Sequence, residues 1–93
     1  MAANIEKSVD KTFILKGAAK AKSVYLAGDF NNWNTTAVPM SRAKNGTFRT
    51  KVRLAPGEHQ YKFLVDGQWV ADNSAERQIA NRFGTSNSVV RVP

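Results

Sequence analysis

Apolar and polar residues alternate through most of the chain. In "TFRTKVRL", Phe48, Thr50, Val52 and Leu54 fall on one side of an extended strand, with Thr47, Arg49, Lys51 and Arg53 on the other. "SVYLAGDF" carries Val24, Leu26 and Phe30 at even spacing, with Tyr25 and Ala27 opposite. "HQYKFLV" sets Tyr61, Phe63 and Val65 against Lys62 and Leu64, and "TFIL" near the start and "SVVRV" at the end complete the set. A period of two turns successive side chains to opposite faces, so each run has one face for a core and one for water. No segment keeps a helical period for as much as about three turns.

Turn residues separate these runs. Asn45-Gly46 and Asp66-Gly67 supply the positive φ angles of hairpin turns, and Pro56-Gly57 suits a type II turn. "FNNWNTTAVP" reads as a polar loop and "DNSAERQIANRFGTSNS" as a long connection with room for a short helical turn. About seven short strands with turns every eight to twelve residues or so predict an all-β chain, an antiparallel β-sandwich. Residues 1–10 read as a flexible N-terminus and 11–93 as one domain, since 93 residues leave no room for a second core.

The Asp66-Gly67 hairpin decides where Trp69 points. With a two-residue turn, Leu64 lies opposite Trp69 and Phe63 opposite Val70. Directly opposed residues share a face. With Tyr61, Phe63 and Val65 as the core set, Trp69 shares the outer face with Lys62 and Leu64, and its indole meets water. The same construction at Asn45-Gly46 would oppose Arg42 to Arg49, a like-charge pair, so a longer loop is expected there.

Composition narrows the chemistry. There is no cysteine, which removes disulfides and thiolate metal sites. "MAANIEKSVDK" lacks the apolar run of a signal peptide and no stretch reaches membrane-spanning length, so a cytoplasmic protein is expected, away from any membrane. "NTT" and "NGT" match a glycosylation pattern that means little without secretion. The net charge of +7 suggests either a solvated basic surface or an anionic partner.

Catalysis finds no anchor. His59, the single histidine, sits in the core-facing set beside Tyr61, where it serves as the cap of a strand end. Asp66 belongs to a turn, and Asp29 adjoins an asparagine loop without a carboxylate partner. No nucleophile elbow, phosphate loop or metal-ligand spacing occurs, and no metal or cofactor is implied. An aromatic surface fits better. Trp69 and Lys62 on one face, with Trp33 in "FNNWN", offer a flat apolar ring with hydrogen-bonding groups around it. A pyranose packs its C–H patch on an indole and offers its hydroxyls to lysine and amide groups. Trp33 has a second reading, as a plug closing one end of the sandwich.

"VYLAGDFNNWN", "GTFRTKVRLAPGEHQYKFLVDGQWVAD" and "NRFGTSNSVVRV" together resemble the glycogen-binding domain of the AMP-activated protein kinase β subunit. More broadly they resemble the family 48 carbohydrate-binding modules, the early-set domains of isoamylases and branching enzymes. The likeness runs from about Thr12 to Val92, nearly the whole chain. It implies an immunoglobulin-like sandwich that binds α-1,4-linked glucan such as glycogen, starch or malto-oligosaccharide. Trp33 and Trp69 match the two tryptophans that stack on glucose, and Lys62 and Asn87 match residues that bond its hydroxyls. Phe83 stands where the family has an inserting leucine. Lys62 and Asn87 are accordingly expected to face solvent.

Arg49, Lys51 and Arg53 on one strand depart from an ordinary neutral-sugar binder and leave room for weak binding of a polyanion. Two rival readings remain. One is a structural docking domain for an enzyme domain or protein partner that does not bind sugar. The other is a single-stranded nucleic-acid binder, which explains the charge but not the grouping of Lys62, Trp69 and Asn87.

Overall fold

In the computed structural model, which describes residues 7–93, the alternation resolves into eight strands. They are β1 (Val9–Leu15), β2 (Val24–Gly28), β3 (Ser41–Arg42), β4 (Phe48–Leu54), β5 (Gly57–Val65), β6 (Gln68–Val70), β7 (Arg77–Ala80) and β8 (Ser86–Val92). One antiparallel sheet has the order β1-β4-β3 and the other β2-β5-β8-β7, with β6 pairing to β5. The inner faces carry the expected residues. Phe13, Leu15, Phe48 and Leu54 from the first sheet meet Leu26, Tyr61, Phe63 and Val92 from the second, all buried. Phe13 and Tyr61 interlock edge to face at 4.8 Å, joining the two sheets at the centre.

β5 organises the second sheet because three strands share it. β2 pairs along residues 61–65 on one side, while β8 takes residues 57–61 and β6 residues 63–65 on the other. Asp66 and Gly67, with φ of 49° and 83°, make the two-residue turn, and Leu64 lies opposite Trp69. The Asp66 carboxylate accepts the N–H groups of Lys22 and Ser23, each at 2.9 Å, and so ties the entry to β2 onto the same corner.

Several features differ from the sequence reading. β1 takes in Val9 and Asp10, opposite Leu54 and Arg53, while residues 1–6 of the expected terminus lie outside the described residues. β7 occupies part of the stretch read as a connection. Its one large apolar residue is Ile79, too little alternation to signal a strand, and its pairing with β8 supplies the order instead. The corner at Asn45-Gly46, by contrast, has the longer loop expected from the sequence, with three residues: Ala43 N–H bonds Thr47 C=O at 2.7 Å and Gly46 adopts φ 83°. The register therefore sets Arg42 opposite Phe48, with its guanidinium 5.2 Å from the ring, and the like-charge pair is avoided.

A buried polar cluster closes the link between β6 and β7. Asp72 accepts from the Tyr61 hydroxyl at 2.6 Å and from Ser74 N–H and O–H, while its own N–H donates to Ser88 Oγ at 2.8 Å. Burial, reinforced by this hydrogen bond and by the Asp72 charge, holds the Tyr61 phenol neutral far above its ordinary range.

Candidate functional site

Trp33 is aimed by an asparagine-rich turn. Gly28 must be glycine, since a Cβ there would meet Gln60 O and the Phe30 ring at 2.5 Å. Asn31 Oδ1 accepts the Gly28 N–H at 3.1 Å, and its Nδ2 donates to Leu26 O. Asn32 and Trp33 then take left-handed φ angles of 56° and 58°, closed by Trp33 N–H to Gly28 O at 2.8 Å. Asparagine tolerates that conformation, but tryptophan does so at a cost. The strain goes into turning the indole onto the outer face of the second sheet.

There it meets Trp69. The two rings lie 6.3 Å apart with their planes at 77°, forming a corner rather than a flat table. Trp69 is 46% exposed, as the hairpin register predicts, and Trp33 is half-buried. Phe83 is 76% exposed at the tip of the turn between β7 and β8. Asn81 builds that turn. Its Oδ1 accepts Phe83 N–H and Thr85 N–H, and its Nδ2 donates to Thr85 Oγ1 and Asn87 Oδ1.

Between these walls runs a groove of about 770 Å³, lined by Trp33, Lys62, Trp69, Phe83 and Asn87. All five residues named from the sequence are brought together. Asp29, Gln60, Asn81, Arg82 and Thr85 also line it. A hydrogen-bonded chain forms its floor: Lys62 Nζ donates to Thr85 Oγ1 at 3.2 Å, and Asn87 Nδ2 donates to Gln60 Oε1 at 3.1 Å. Asn81 links the two halves. The ammonium of Lys62 thus keeps donors beyond its bond to Thr85.

The expected exposure of Lys62 and Asn87 is corrected. Lys62 is only 7% exposed and Asn87 is half-buried. Both lie on the outer face, as alternation requires, but the loops carrying Trp33 and Phe83 rise around them. Thr85 and Arg82 were missed by the sequence reading. Thr85 had a signal, since it stands two positions before Asn87 with the same parity, just ahead of β8.

Other candidates fall elsewhere. His59 bonds Ala55 O through Nε2 at 2.8 Å and lies 3.4 Å from Asp29 through Nδ1, at the start of β5. Arg49, Lys51 and Arg53 are exposed on the outer face of the first sheet, away from the groove, and Arg53 reaches Asp10 at 3.4 Å. A second hollow of about 640 Å³, near Leu15, Ala18, Val65 and Val70, has no aromatic or amide side chain in its walls. Among the described residues no helix is long and apolar enough to cross a membrane.

The family model for the glycogen recognition site of AMP-activated protein kinase matches residues 11–93. The chain is 43% identical over 79 residues to 5'-AMP-activated protein kinase subunit beta-1 of Sus scrofa, covering 85% of this chain and 62% of the relative. It is 42% identical to the beta-1 subunit of Rattus norvegicus and 40% identical to the beta-2 subunit of Mus musculus, covering 85% of this chain and 28% of each relative. The chain therefore spans less than two thirds of the length of these relatives. With its matched region taking in both sheets and the whole groove, the chain belongs to the glycogen recognition domain family of AMP-activated protein kinase.

Proposed function

We propose that this domain is a non-catalytic module whose groove binds α-1,4-linked glucan. Glucose rings stack on Trp33 and Trp69, Lys62 and Asn87 donate to hydroxyls, and Phe83 supplies an apolar rim. The observation that carries the reading is the corner made by the two indoles, 77° apart beside a floor of amide, hydroxyl and ammonium groups. A flat ribbon of sugars could lie on only one ring, whereas a helically curved α-glucan presents successive rings to both. Apolar stacking with a few polar bonds on an open face gives modest affinity, on the order of tens of micromolar to millimolar. Several modules on one polymer would raise the apparent affinity.

The relatives are named as kinase subunits, and we extend that role here: within a longer chain the module would hold an assembly on glucan. The outer face of the first sheet supports a weaker second activity. Arg49 and Lys51 have no carboxylate partner among the described residues, and they suit a polyanion bound in a salt-sensitive manner.

Calorimetric titration with maltoheptaose at low and moderate salt tests the reading. Saturable binding with little change between the two conditions is expected, because a neutral sugar releases no condensed counterions. Tight binding of single-stranded RNA or DNA, with none of maltoheptaose, would overturn it.

A further inference from the structure

Hydroxyls of a neutral glucan accept hydrogen bonds from the cations of the groove but leave their charge uncompensated. Lys62 is more than nine-tenths buried, and its ammonium has a single side-chain partner, the neutral hydroxyl of Thr85. A hydroxyl does not neutralise an ammonium, so the charge at the groove floor stays available to an anion. Arg82 lies at the rim with its guanidinium 5.1 Å from the centre of the Phe83 ring, a stack that holds the planar fork beside the groove. Neither cation has a carboxylate partner among the described residues. The carboxylate in the lining belongs to Asp29, which accepts Gln60 N–H at 2.9 Å and faces His59 at 3.4 Å. Two cations against one engaged carboxylate leave the groove net positive.

We propose that the groove prefers α-glucan carrying phosphomonoester groups over the unmodified polymer. The inference rests on the reading that this groove binds α-glucan. A phosphate on a glucose hydroxyl supplies what the site lacks: a counter-charge for Lys62, and an oxygen pair matching the fork of Arg82. The aromatic corner holds the sugar, and the cations choose among its substituents. Since Arg82 is exposed, the gain is modest and salt-dependent.

Calorimetry with maltoheptaose and with maltoheptaose bearing one 6-phosphate separates the two readings. At about 20 mM salt the phosphorylated ligand binds roughly three- to tenfold tighter, and the ratio falls towards one at about 500 mM. Arg82→Gln lowers the ratio, while Lys44→Gln, at an exposed position in the turn between β3 and β4, leaves it unchanged. Equal affinities for the two sugars would overturn this preference alone. A ratio that survives Arg82→Gln and vanishes in Lys51→Gln would move the phosphate off the groove and also overturn it. Binding of neither sugar would overturn both readings.

Discussion

Trp33 and Trp69 meet at 77° with their ring centres 6.3 Å apart, although they come from a loop after β2 and from the three-residue strand β6. Neither ring lies in the main core cluster. Trp69→Ala should therefore abolish detectable glucan binding while changing stability by less than about 1 kcal/mol. Thermal melts run beside a maltoheptaose titration check this. A loss of several kcal/mol would mean that the indole supports the fold.

Trp33 offers a test of backbone strain. Its φ of 58° suits glycine, and a Cβ in that region costs about 1–2 kcal/mol. Trp33→Gly should accordingly be at least as stable as Trp33→Ala, the reverse of the usual order at an ordinary loop position. Both should bind glucan poorly. Comparison of the two melting curves decides whether the turn truly holds this residue left-handed.

Lys62 calls for two substitutions because it is buried. Lys62→Met keeps the aliphatic stem and removes the ammonium, so affinity should fall by about 1–2 kcal/mol with little loss of stability. Lys62→Ala should lose the same affinity and also destabilise the domain, since it empties the space a buried side chain fills beside Thr85. If Lys62→Met binds maltoheptaose as the parent does, the ammonium is not a glucan ligand.

How much of this was legible follows from locality. The Asp66-Gly67 pair dictates a turn, the turn sets the register of β5 against β6, and the register turns Trp69 outward. Every step uses neighbouring residues. The burial of Lys62 depends on loops more than 20 residues away on either side folding over it, and alternation carries no record of that. β7 was hidden for a similar reason: Arg77, Gln78 and Ala80 are exposed, and only pairing with β8 orders them as a strand. Arg82 follows Asn81 in a turn whose geometry is held by side-chain bonds rather than by a repeating pattern.

The Tyr61–Asp72 bond gives a pH prediction. Tyr61→Phe should cost about 1–3 kcal/mol near neutrality, because Asp72 Oδ2 loses its donor inside the fold. The raised Tyr61 ionisation means that the native state keeps its proton where the unfolded chain releases it. The contribution is present in full below about pH 10 and falls as pH rises beyond it, by about 1.4 kcal/mol per unit. The gap between wild type and Tyr61→Phe should therefore shrink by about 2 kcal/mol between about pH 10 and 11.5. Denaturant titrations across that range check it, and a constant gap would show that the phenol ionises normally.

Chemical-shift mapping with maltoheptaose tests the central claim most directly. Amide and side-chain resonances of Trp33, Lys62, Trp69, Phe83 and Asn87 should shift together along one saturable curve, with Arg49, Lys51 and Arg53 unmoved. Shifts confined to that basic strand, or none in the tryptophan side chains, would contradict the account.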